Sequence, residues 1–136
     1  MARVEVNGDL ATSEATCAAV EAVTRQRGKT PVSVKYSLGF VVNRLPAPMI
    51  NEVVFALAEG RATAQEIDEA MKLGGNPPIG PLALADLIGV DVQRAAMQVL
   101  DEGCKDSLYL PAPRLVELVE AGDLGRESGR GFYTYD

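Results

Sequence analysis

The chain has 136 residues, 47% of them apolar, a formal net charge of −6 and no histidine. That is enough for one ordinary domain with a core and too apolar for a disordered segment, while the acidity and the lack of any Lys/Arg cluster exclude a basic footprint for nucleic acid or an anionic membrane. Without histidine, the chain itself holds no His-ligated zinc, no Ser-His-Asp triad and no imidazole base, so proton transfer falls to a carboxylate, Lys, Tyr or Cys, or to a histidine on a partner.

Residues 3–6 (Arg-Val-Glu-Val) alternate as a short strand does. Thr12 and Ser13 are good N-cap residues, and a helix is expected from there to about Arg27, with Arg25 and Arg27 in its last turn and Gly28 behind it. Pro31 to Lys35 predicts a second strand. A β-α-β unit needs neighbouring strands to bury both faces, and none is expected after residue 36, so this segment resembles the end of a larger α/β sheet.

From Gly39 the pattern turns helical. Phe40, Val41, Leu45, Met49, Val53 and Leu57 predict a helix ending at Gly60, kinked near Asn43–Leu45 because Pro46 and Pro48 fall inside it. Thr63-Ala64-Gln65-Glu66 spells a capping box for a helix ending at Gly74-Gly75. Pro77 and Pro78 stiffen the next connection, Pro81 opens a further helix, Gly89 interrupts it, and another runs from Val90 to about Glu102. A short helix around Leu115–Val119 stops at Gly122, and Gly125–Gly131 is a turn leading to Phe132, Tyr133 and Tyr135, which are expected to pack. Arg44 and Asp86 are expected to form a structural ion pair. Cys17 and Cys104 are far apart and read as free thiols. No apolar run approaches the ~20 residues of a membrane span. The first six residues lack the apolar stretch of a signal peptide, so a cytoplasmic location is expected.

Taken in order, Gly39-Phe40-Val41-Val42-Asn43-Arg44, Ile67-Asp68-Glu69-Ala70-Met71-Lys72, Pro77-Pro78-Ile79-Gly80-Pro81, Asp86-Leu87-Ile88-Gly89 and Gly129-Arg130-Gly131-Phe132-Tyr133 resemble the C-terminal domain of the 3-hydroxyacyl-CoA dehydrogenases, the 3-hydroxybutyryl-CoA enzymes among them. The resemblance implies a mainly α fold: a helical dimerisation domain of the 6-phosphogluconate dehydrogenase C-terminal-like type over 38–136, preceded by a β-α-β remnant of a Rossmann NAD-binding domain over 1–37. It implies a hydride transfer from an L-3-hydroxyacyl-CoA to NAD in fatty acid metabolism. A histidine takes the hydroxyl proton, and a glutamate in a strand like Arg3-Val4-Glu5-Val6 orients it; Glu5 is that glutamate by resemblance, while the histidine is absent from this chain. Asn43 would donate to the substrate oxygen, and Pro78 and Gly80 would line the acyl path or simply stiffen a connection.

Two features depart from the family pattern. Tyr36 and Leu38 stand where an acidic residue and a proline are usual, which loosens the hinge, and Pro46 replaces an apolar helix former. No Gly-x-Gly-x-x-Gly turn follows a strand, so NAD binding by this chain alone is not expected, nor is turnover by it. Two roles therefore stand side by side. The chain is either the substrate-side part of a dehydrogenase, working as a homodimer with a separate Rossmann-domain subunit, or a non-catalytic acyl-CoA-binding or interaction module, or truncated gene product, held as a helical homodimer. Neither involves nucleic acid or a membrane.

Overall fold

In the computed structural model, which describes residues 2–136, the chain divides into two compact units, Met1–Val42 and Asn43–Asp136. The first contains β1 (Arg3–Gly8), α1 (Glu14–Gln26) and β2 (Thr30–Lys35). The strands pair in parallel, in register from Arg3 opposite Thr30 to Gly8 opposite Lys35. Parallel neighbours need a crossover, and α1 supplies it. Ser13 opens α1 by accepting from Thr16 N at 3.2 Å, and Gly28, at φ +70°, turns the chain out of it. Two strands and one helix have little to bury. Val6 and Thr24 are buried here, while Val20, Val23 and Val32 remain exposed.

The second unit is all helical: α2 (Pro46–Ala58), α3 (Ala64–Gly75), α4 (Pro81–Ile88), α5 (Val90–Cys104) and α6 (Pro113–Ala121), with 3₁₀ turns at Ser107–Tyr109 and Arg126–Ser128. The chain as a whole is mainly helical, as its sequence resemblance implied. Ile50, Val54, Leu82, Ala85, Val90, Leu115 and Leu118 form the main core, and Ala47, Met97, Leu100 and Tyr109 a second cluster. Two buried amides tie this framework together. Asn51 donates to Leu110 O at 2.9 Å and accepts from Ala112 N at 2.8 Å, holding the entry to α6. Gln93 donates to Ala47 O at 2.7 Å, joining α5 to α2.

The expected helix from Gly39 with a proline kink is replaced by a turn and a later start. Gly39 (φ +74°) and Phe40 (φ +49°) are left-handed, so the chain turns there instead of coiling. α2 then begins at Pro46, which stands at its first position, with Pro48 also in the first turn. The N–H groups that proline lacks have no intrahelical acceptor in a first turn, so both prolines mark the start of the helix without bending it. The capping box of α3 forms as its sequence predicts: Glu66 N donates to Thr63 Oγ1 at 3.3 Å and Thr63 N to Glu66 Oε2 at 2.9 Å.

Candidate active site

β1 presents Glu5 with its side chain only 14% exposed. One carboxylate oxygen, Oε1, accepts from Val42 N at 3.1 Å and lies 3.8 Å from the Arg3 guanidinium. The other, Oε2, has no hydrogen-bond partner among the described residues. A carboxylate fixed by one oxygen and free at the other can accept from, and hold, a donor that approaches its free side.

Asn43 opens the second unit. It is exposed, its carbonyl accepts from Ala47 N at 3.3 Å, and its side-chain amide has no partner among the described residues. The amide is therefore not spent on the backbone of a kinked helix. Its neighbour Arg44 is fixed, though not by Asp86 as the sequence suggested. The Arg44 guanidinium lies 4.4 Å from the centroid of the Tyr109 ring, and its Nη1 donates to Cys104 Sγ at 3.4 Å. The α5 C-terminus and the Ser107–Tyr109 turn thus anchor the residue next to Asn43. Cys104 and Cys17 are free and half-buried.

Pro78 and Gly80 line one groove of about 640 Å³, with Asp68, Lys72, Ile79 and Tyr133 among its other walls. Asn43 is not part of it. At its base is Asp68 of α3, buried to 5% exposure. Gly80 is the N-cap of α4 and has no side chain to cap with. Asp68 does that work across the groove, accepting from Leu82 N at 2.8 Å and Ala83 N at 2.9 Å. A carboxylate against a helix N-terminus also suits the helix dipole. The close approach explains the glycine, since a Cβ at position 80 would overlap the Asp68 side chain.

Asp86 of α4, 1% exposed, plays a matching part for the C-terminal tail. It accepts from Phe132 N, Tyr133 N and the Tyr135 hydroxyl, each at 2.9 Å. A Cβ on Gly131 would strike its carboxylate, and one on Gly125 its backbone. The Tyr133 hydroxyl reaches back to Asp68 at 2.8 Å. Burial, and then the bond to its aspartate, pushes each phenol above the ordinary tyrosine range, so both remain donors at neutral pH. The buried aspartates were not singled out as a pair by the sequence; the signal that could have found them is the glycines at 80, 125 and 131.

The connection between β1 and α1, residues 9–13, contains no glycine, and Ser13 already occupies the first turn of α1. It does not fit a dinucleotide pyrophosphate, which needs open N–H groups and close backbone approach, and no chemical step is assigned to such a group here. Among the described residues, no three His, Cys, Asp or Glu side chains gather as a metal site, and no helix is long and apolar enough to cross a membrane.

Residues 39–135 match the model of the 3-hydroxyacyl-CoA dehydrogenase C-terminal domain. A Bacillus subtilis protein named probable 3-hydroxybutyryl-CoA dehydrogenase is 52% identical over 136 residues, covering 100% of this chain and 47% of the relative. The human mitochondrial hydroxyacyl-coenzyme A dehydrogenase is 37% identical over 136 residues, covering 99% and 43%. The crystal structure of the (S)-3-hydroxybutyryl-CoA dehydrogenase of Ralstonia eutropha superposes with a TM-score of 0.94 at 56% identity, over 100% of this chain and 48% of that one. The chain therefore spans about half the length of the curated relatives it matches.

Proposed function

The chain belongs to the 3-hydroxyacyl-CoA dehydrogenase family, and we propose that it serves as the substrate-side, subunit-contacting part of an NAD-dependent L-3-hydroxyacyl-CoA dehydrogenase of fatty acid metabolism, acting on 3-hydroxybutyryl-CoA or a close homologue. The observation that carries this is the state of Glu5. Its Oε1 is held by Val42 N, and its Oε2 has no hydrogen-bond donor among the described residues. That is the disposition needed to hold a histidine supplied from outside these 136 residues, fix its tautomer and stabilise it once it takes the hydroxyl proton. Asn43, with an uncommitted amide, donates to the substrate oxygen. A neutral donor stabilises charge developing there without itself titrating. Pro78 and Gly80 form a rigid wall for the acyl-thioester portion. The dinucleotide, which supplies the hydride acceptor, belongs to a Rossmann domain outside this sequence, and residues 1–37 are the edge of that domain.

A second role has an observation of its own. Val92, Ala95 and Val99 share one face of α5 at helical spacing and are exposed, and Leu87 and Ile88 are exposed at the end of α4. A second copy covering that face gives a helical homodimer, with or without catalysis. Native mass spectrometry of the protein captured at endogenous level separates the two. Capture together with a histidine-bearing, Gly-rich Rossmann sequence, on the same or a second chain, is the expected result. Capture only as a homodimer of this chain would leave the binding-module role standing.

A further inference from the structure

Two tyrosines of the tail make the same kind of bond and differ in where they stand. The Tyr135 hydroxyl donates to Asp86 at 2.9 Å, away from the groove. The Tyr133 hydroxyl donates to Asp68 at 2.8 Å and is itself a wall of the groove that Pro78 and Gly80 line. Asp68 has three donors: Leu82 N and Ala83 N from the first turn of α4, and this phenol. The two backbone donors pull the carboxylate toward α4. The phenol holds it from the tail side, and the tail is in turn locked because Tyr133 N and Phe132 N both end on Asp86. Gly80, N-cap of α4, packs directly against the Asp68 side chain, so the position of that carboxylate decides where the 76–80 connection lies.

We infer that Tyr133 is a positioning residue: through Asp68 its hydroxyl fixes the α3–α4 connection, and with it the shape of the groove that takes the acyl-thioester end of a 3-hydroxyacyl-CoA. The ligand half of this statement rests on the function proposed above; the positioning half does not. The phenol touches no reacting atom, so its removal changes how the groove is held and not the chemistry.

Two measurements on the 136-residue chain test it, with Tyr133→Phe and Tyr135→Phe side by side. Amide exchange by NMR reads the connection, and titration with 3-hydroxybutyryl-CoA reads the groove. In Tyr133→Phe the Leu82 and Ala83 amides should exchange about ten-fold faster and the ligand should bind about ten-fold more weakly, as loss of one hydrogen bond to a carboxylate implies. Tyr135→Phe should leave both within about two-fold, since its bond serves Asp86 alone. Equal effects of the two substitutions would reduce Tyr133 to an ordinary tail anchor and overturn the inference, as would unchanged Leu82 and Ala83 exchange in Tyr133→Phe. If the unsubstituted chain fails to bind 3-hydroxybutyryl-CoA, the proposed substrate falls. Selective acceleration of the Leu82 and Ala83 amides would still establish the positioning role, and its absence would still refute it.

Discussion

Arg44 shows how a charged residue can be held in place without an ion pair. It is bonded through the sequence to Asn43 and through space to Tyr109 and Cys104. A cation over an aromatic face is worth about 0.5–2 kcal/mol, depending on burial. Arg44→Met keeps the length of the side chain and removes the charge and the donor. It should destabilise the helical unit by about 1–2 kcal/mol in chemical denaturation, with the loss reduced in a Tyr109→Leu background, where only the bond to Cys104 remains to be lost. An undiminished loss in that background would mean that the ring is not the partner. The sequence pointed to Arg44 as structural but paired it with Asp86, because opposite charges are the obvious match in a one-dimensional text. A cation's preference for an aromatic face leaves no spacing signature. Glu5 and Asn43 were singled out only through family resemblance, and their roles are proposals. An isolated strand glutamate or a lone asparagine carries no chemistry on its face.

At the scale of elements, local rules did well wherever the partner of a group lies within four residues. The N-cap of α1, the capping box of α3, the break at Gly89 and the stop at Gly122 are all of that kind. They failed at α2, where periodicity outvoted the prolines and hid the left-handed turn at Gly39 and Phe40. They placed the start of α4 at Pro81 but were silent on its cap, which comes from Asp68, fourteen residues away from Leu82. That long-range cap makes a prediction. Asp68→Ala strips the acceptors from two helix-start N–H groups and from a phenol, and should cost about 3 kcal/mol or more in the unfolding free energy of the helical unit. Thr63→Ala, the loss of an exposed cap, should cost about 1 kcal/mol. A smaller loss for Asp68→Ala than for Thr63→Ala would contradict the account. The same bonds set an alkaline limit. Both phenols are held above the ordinary value of 10.0 in the fold. The unfolded chain therefore ionises first, and the stability they contribute is complete below that value and drains away as pH rises through their folded values. A double Tyr133→Phe, Tyr135→Phe variant should show a flatter decline of stability in alkali, monitored by circular dichroism; an equally steep decline would exclude them as its source.

The whole molecule consists of two units of unequal self-sufficiency. The helical unit buries a core of its own, whereas the first unit offers a two-stranded parallel sheet with one helix, and of its described residues Val6 and Thr24 are buried. Composition and helical periodicity made the second unit legible, and the two early strands with no successors are what led to the reading of the first as part of a larger sheet. Partnership is what no single chain encodes: the histidine that the proposed role of Glu5 requires is not among these 136 residues. The most direct test of the central claim is complementation. The 136-residue chain is mixed with a separately produced Rossmann domain of a 3-hydroxybutyryl-CoA dehydrogenase relative, and NADH formation from 3-hydroxybutyryl-CoA is followed. The chain alone should give no turnover and the mixture should, with Glu5→Gln in the mixture lowering the rate by about 10²–10³-fold as loss of an orienting carboxylate does. Turnover by the chain alone, or a Glu5→Gln mixture as active as the unsubstituted one, would contradict the assignment of Glu5 and of the chain's place in the enzyme.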